Sequence, residues 1–226
     1  MTPLEELQQE IISCARCPRL VAWREAVAQD PPRRYQDEEY WARPVPGFGD
    51  PNARILIIGL APAAHGSNRT GRMFTGDKSG EWLYRALHKS GFANQPHSIS
   101  RDDGLQLSGA YIAAAARCAP PENKLLPPEL SNCREYLLRE WQLLRHIRVV
   151  LGLGKIGFDA AFDAARQLHY TELKTRPRFG HGVEVLLNEN LVLMGTYHPS
   201  QQNTFTGRLT EPMFDAIFSR IKEIIN

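Results

Sequence analysis

The 226-residue sequence predicts an α/β fold with a mostly parallel central sheet. Two observations lead there. Near-continuous apolar runs recur at Arg54–Leu60, Ala110–Ala116 and Ile147–Leu153, as strands buried on both faces require. Segments with helical apolar spacing separate them, so strands and helices alternate. The length suits a single domain over residues 1–226 with room for a sizeable core.

In chain order, residues 3–22 read as a helix broken near Cys17-Pro18, with Leu4, Leu7, Ile11 and Ile12 as its apolar stripe. Residues 24–52 are Pro-rich and charged, which predicts an extended surface segment. The strand at Arg54–Leu60 runs into a long loop ending at Asp77. Ser79 is placed to cap a helix over 80–90, which Gly91 closes. The strand at Ala110–Ala116 leads into RCAPPENKLLPP, and residues 129–146 read as a helix with Tyr136, Leu137, Trp141 and Leu144 on its apolar face. After Ile147–Leu153 comes a helix over 155–168. Val183–Leu187 and Leu191–Thr196 pair as a hairpin around Asn188-Glu189-Asn190, and Pro212 opens a C-terminal helix. In open α/β sheets ligands bind beyond the carboxyl ends of the strands. Three unusual segments follow strands here, at 59–77, 117–124 and 197–208, so the fold brings them to one edge.

Composition excludes some classes. Hydrophobic residues make up 42% and charged residues 23%, which is ordinary for a globular chain, and no apolar run approaches a membrane span. The N-terminus has no basic segment followed by an apolar one, so the expected compartment is the cytosol, with no membrane partner. The net charge of +2 does not argue nucleic-acid binding. Its distribution is more informative: Arg69, Arg72 and Lys78 share one Gly-rich loop, Arg176 and Arg178 another, and Arg208 a third. Converging loops make these a basic surface; scattered, they are solvated charges.

The four cysteines fall into two pairs, Cys14-x2-Cys17 and Cys118-x14-Cys133. In a cytosolic chain structural disulfides are not expected. Four thiolates suit a zinc ion or an iron–sulfur cluster, and spacing does not choose between them. Four buried structural thiols are the plainer alternative.

His65 and His198 both follow apolar strands and lie in polar loops, and Pro199 stiffens the second. An imidazole at 198 can donate to a leaving group that becomes an anion. Asp77 can hold water or face a cationic sugar; its plainer role is an acid at a helix N-terminus. Asn123 can bind water or a base edge; otherwise it is a turn residue after Pro120-Pro121-Glu122. Phe74 is either core or a ring that stacks on a flat ligand.

Together these segments resemble family 5 uracil-DNA glycosylases, the B-type enzymes of the uracil-DNA glycosylase superfamily. The resemblance rests on GLAPAAHGSNRTGRMFTGD at 59–77, RCAPPENK at 117–124, LGLGKIGFDA at 151–160 and YHPSQQNTFTGRLTEPM at 197–213, with the cysteine layout. It implies a three-layer α/β/α fold with a four-stranded, mainly parallel sheet. It implies a [4Fe–4S] cluster on Cys14, Cys17, Cys118 and Cys133, which would tie the N-terminal helix to the domain. Other families of the superfamily carry Asp or Asn where Ala61 stands, two positions after Gly59. The pattern therefore points to Asp77 and Asn123 for water, His198 for the departing base and Phe74 for stacking on it. Gly59 and Ala61 would line the base site, and Arg69, Arg72, Lys78 and Arg208 would meet DNA. The implied activity is excision of uracil, and of deaminated purines such as hypoxanthine and xanthine, from DNA by a monomer associated with the nucleoid. A non-catalytic DNA-damage binder and a cluster-dependent redox or regulatory protein are the competing classes.

Overall fold

The computed structural model describes residues 1–226. Six strands form one sheet: β1 (Phe48–Gly49), β2 (Ile55–Gly59), β3 (Ala110–Ala114), β4 (Val149–Leu153), β5 (Val183–Asn188) and β6 (Leu191–Thr196), in the order β1-β3-β2-β4-β6-β5. The inner strands β3, β2, β4 and β6 are all parallel. The edge strands β1 and β5 run antiparallel to their neighbours. The sheet thus has two strands more than the family resemblance implies. The hairpin partner β5 is legible in the sequence, whereas β1, with only two residues, carries no period to read.

The helices are α1 (Pro3–Ile12), α2 (Pro18–Gln29), α3 (Ser67–Thr70), α4 (Lys78–Lys89), α5 (Pro127–Leu143), α6 (Gly154–Gln167), α7 (Gln201–Phe205) and α8 (Glu211–Ile225). Alternation along β2 divides the core into two layers. Ile55 and Ile57 face α4 and α8, joined by Leu83, Leu87, Phe214 and Phe218. Leu56 and Ile58 face α5 and α6, joined by Leu137, Trp141, Phe158 and Phe162. A third, smaller cluster of Leu7, Ile11 and Tyr136 fastens α1 to α5.

Three local expectations need correction. Residues 24–52 are not an extended surface segment. Helix α2 continues to Gln29, Tyr40 and Val45 are buried, and the Trp41 and Val45 amides donate to the carbonyls of Arg69 and Arg117 at 2.9 and 2.8 Å. Those partners are distant in sequence, so the Pro-rich composition misled. The cap of α4 is Asp77 rather than Ser79, its carboxylate accepting from the Gly80 amide at 2.9 Å. Helix α5 begins at Pro127, earlier than expected, because Pro is tolerated in a first turn.

One buried charge pair joins the layers near the cysteines. Arg117 is 1% exposed and Glu140 is fully buried, and the Arg117 Nη2 donates to Glu140 Oε2. The Tyr111 hydroxyl and the Gly47 amide also donate to Glu140, each at 3.2 Å. Removing one partner of such a pair strands the other charge in a dry interior. Glu140→Leu should therefore cost about 3–5 kcal/mol, read as a lower urea midpoint with an unchanged slope. An unchanged midpoint would contradict the pairing.

Candidate active site

Strands β2, β3 and β6 end at the same edge of the sheet, and the loops after them enclose a cleft of about 620 Å³. Ala61, Phe74, Asp77, Asn123 and His198 all line it, with Ser67, Lys78 and Gln201. Gly59 closes β2 beneath the cleft: a Cβ there would stand 2.9 Å from Phe74 Cζ, so a bare Cα lets the ring lie against the strand end.

Phe74 has a left-handed backbone, φ +54°, which is costly for a bulky residue and tends to occur at functional sites. Ser67 holds it, its hydroxyl oxygen accepting from the Phe74 amide at 3.0 Å. The Phe74 ring stacks on the His198 imidazole, with centroids 5.8 Å apart and planes inclined by 30°. Glu122 and Asn123 are also left-handed, at φ +52° and +58°, and set the exposed Asn123 at the lip of the cleft.

Burial pushes His198 down to about 4, so the ring is neutral at neutral pH. Only its backbone carbonyl is engaged within the chain, accepting from Asn203 Nδ2 at 2.9 Å. The imidazole is left as a neutral N–H donor facing the cleft. Asp77 is held above the usual carboxylate range, chiefly by burial, against the opposing amides of Gly80 and Ser79. Its Oδ2 leans on Gly66, where a Cβ would come within 2.2 Å.

The four expected DNA contacts separate. Lys78 and Arg208 are exposed. The Arg208 guanidinium lies 4.6 Å above the Tyr197 ring, which itself stacks on His181 at 5.2 Å. Arg72 faces inward. It is 4% exposed and donates to both Asp103 oxygens at 2.8 Å, to Ser98 Oγ at 2.7 Å and to the Arg101 carbonyl at 3.1 Å. Arg69 is likewise occupied by Glu38 and by two backbone carbonyls. Neither guanidinium is free for phosphate, because internal acceptors already fill its donor fork. His65 accepts from or donates to the Tyr40 hydroxyl at 2.9 Å and does not line the cleft. One site residue, Ser67, and one exposed apolar residue outside the cleft lining, Phe205, escaped the sequence pattern. Ser67 has a partner seven residues away, and Phe205 is 77% exposed at the end of α7, just past the His198 loop. An apolar residue inside a polar Gln-Asn-Thr run was the available signal for Phe205.

The cysteines occupy the joint between the N-terminal helices and the domain body. Cys14 follows α1, Cys17 precedes α2, Cys118 lies in the loop after β3 and Cys133 lies on α5. No three His, Cys, Asp or Glu side chains converge as a site for a single ion. The thiols nonetheless sense one another: burial pushes Cys118 up to about 12, with Cys133 and Cys14 contributing. Arg24 donates to Cys118 Sγ at 3.1 Å, and Asn132 donates to Cys17 Sγ at 3.4 Å. Buried Arg24 Nε, and Arg117 Nε and Nη1, have no acceptor in the chain. Four soft sulfur donors near cationic N–H groups that lack acceptors are a donor set chemically suited to an anionic thiolate-bound group.

With fold and cleft defined, the class follows. Residues 46–222 match the uracil DNA glycosylase superfamily, and the chain belongs to that superfamily. Its relatives narrow the comparison. The type-5 uracil-DNA glycosylase of Mycobacterium bovis is 51% identical over 97% of this chain and 81% of its own length. That of Mycobacterium leprae is 49% identical over 98% and 95%. That of Thermus thermophilus is 48% identical over 97% of both.

The depressed His198 makes a prediction independent of activity. The unfolded chain takes up this proton below about 6.5, while the folded state resists until about 4. Stability should therefore fall as pH drops through that window, and His198→Ala should lose less across it. Imidazole NMR should show His198 titrating near 4. A midpoint near 6.5 would refute the buried neutral ring.

Proposed function

We propose that this chain is a DNA glycosylase that hydrolyses the N-glycosidic bond of uracil in DNA, releasing the base and leaving an abasic site. The observation that carries this reading is the convergence of a ring, a neutral imidazole, a buried carboxylate and a side-chain amide in one cleft. The names of the relatives support it. Excision of hypoxanthine and xanthine belongs to the same proposal: Phe74 offers a flat face that any base can use, and Ala61 leaves the wall beside it free of polar selection.

A base in a duplex must leave the stack before it can react. Exposed Arg208 and Lys78 flank the cleft as phosphate partners, and Phe205 has the character of an apolar wedge filling a vacated base step. Phe74 stacks on the extruded base. As the C–N bond breaks, its electron pair moves to the base, and the His198 N–H donates to the carbonyl oxygen where charge gathers. A neutral donor suits this role, since it stabilises the anion without first needing a proton. The sugar becomes an oxocarbenium-like cation beside the Asp77 carboxylate. Asp77 and Asn123 orient the water that adds to the anomeric carbon, and the water's proton leaves through Asp77.

Cys14, Cys17, Cys118 and Cys133 would hold a [4Fe–4S] cluster. When bound, the cluster would supply cross-linking of the N-terminal helices to the domain rather than electrons, because hydrolysis changes no oxidation state. Arg24 and Asn132 would donate to its thiolates. Anaerobically purified protein should be brown and contain about four irons with matching acid-labile sulfide. Stoichiometric zinc without sulfide would refute the cluster.

The division of labour is tested by leaving group. Loss of one anion-stabilising donor typically costs about a hundred- to a thousandfold. His198→Ala should show such a loss in single-turnover uracil release, and 5-fluorouracil, a more acidic base, should partly restore the rate. Asp77→Asn acts on the sugar and water side and should gain no such selective rescue. Equal rescue of both variants would overturn these roles.

A further inference from the structure

Arg69 stands in the basic loop after β2, yet its guanidinium is only marginally exposed and its donors are turned into the protein. Nε donates to the His65 carbonyl at 2.9 Å, and Nη2 donates to the Gly76 carbonyl at 3.1 Å. Nη1 pairs with Glu38, and the Tyr35 ring lies 4.2 Å beneath the plane. The two carbonyls belong to the residues directly before Gly66 and directly before Asp77. Gly66 is the wall against which the Asp77 carboxylate rests, and Gly76 is joined to Asp77 by a peptide bond. One rigid fork therefore grips the backbone on both sides of the buried carboxylate. A Cβ on Gly76 would lie 2.3 Å from Nη2, so the loop closes directly onto the guanidinium.

We propose that Arg69 is a positioning residue that sets the Asp77 carboxylate for water attack by clamping the His65 and Gly76 carbonyls, and that it is not a phosphate contact. The inference rests on the glycosylase reading. Tyr35 and Glu38 orient the fork, so residues 33–38 become part of the reaction machinery without lining the cleft. The charged groups facing Asp77 are Arg69 from α3 and Glu81 from α4, with Tyr84 also near. Arg69 holds Asp77 down and Glu81 pushes it up, so loss of the guanidinium raises the carboxyl further.

The test uses full-length protein, uracil-containing duplex and four measurements: single-turnover rate, DNA affinity against salt, the acid limb of the rate profile, and thermal melting. Arg69→Ala should lower the rate by on the order of a hundredfold, the scale of a misplaced catalytic group. The slope of log affinity against log salt should stay unchanged, whereas loss of a phosphate contact would flatten it by about 0.9. The acid limb should move to higher pH. Arg69→Lys keeps the charge but not the planar fork, so it should remain impaired. In an Asp77→Asn background Arg69→Ala should cost little more, because both act through one carboxylate. Tyr35→Leu, which spares the hydrogen bonds, should give the same pattern in milder form if Arg69→Ala melts too low for assay. A flattened slope with a preserved rate would return Arg69 to the DNA interface. Equal losses with and without Asp77 would reduce it to a fold element. Wild-type protein that releases no uracil would instead remove the glycosylase reading itself.

Discussion

A Cβ on Gly59 would meet the Phe74 ring at 2.9 Å, and one on Gly66 would meet the Asp77 carboxylate at 2.2 Å. Close approach of bare backbone to these two side chains is the constraint on which the cleft depends. It lets the loop after β2 fold back onto the strand it has just left. That return stacks Phe74 on His198 and sets the half-buried Asp77 against Gly66 in the wall of the cleft. The left-handed backbone of Phe74 is the cost of the turn, held by Ser67 and by the packing around it.

Burial then sets the chemistry. The same burial pushes His198 down and Asp77 up, so both groups are biased toward their uncharged forms. A neutral imidazole donor and a carboxyl with a raised proton affinity are matched to a reaction in which an anion departs and a proton must be collected. The exposed cations Lys78 and Arg208 are open to solvent, where salt screens them.

The cysteine joint follows a separate logic. Helices α1 and α2 add little to the two large core layers; only Leu4 joins one of them. They are attached by the Leu7–Ile11–Tyr136 cluster, by buried Leu20 of α2, by the Asn68 amide donating to the Arg24 carbonyl at 3.2 Å, and by ion pairs such as Arg16–Glu135. Exposed pairs contribute little. The proposed cluster on these four cysteines would add a cross-link at a joint that contributes little to the two large layers. Arg24 donates to Cys118 and Arg117 lies near Cys133, and the Arg117–Glu140 pair links this region to the sheet through Tyr111.

The alternation of apolar runs with helical stripes is local, and from it alone came the parallel strands, the hairpin and the edge at which the site lies. Four cleft-lining residues, Phe74, Asp77, Asn123 and His198, were legible because each stands in a distinctive segment after a strand, and the fold class brings those segments together; Ala61 stood out only through the family resemblance. What periodicity does not carry is the destination of a long polar side chain. Arg69, Arg72 and Arg208 look alike in the sequence. Two turn inward because Glu38 and Asp103, each 31 residues away, meet them there, while Arg208 rests on Tyr197 and faces solvent. The strand β1 and the burial of Tyr40 and Val45 have the same origin, for their partners lie across the chain. Strand and helix follow from neighbours in sequence, but whether a charge is spent inside the protein or offered to a ligand depends on neighbours in space.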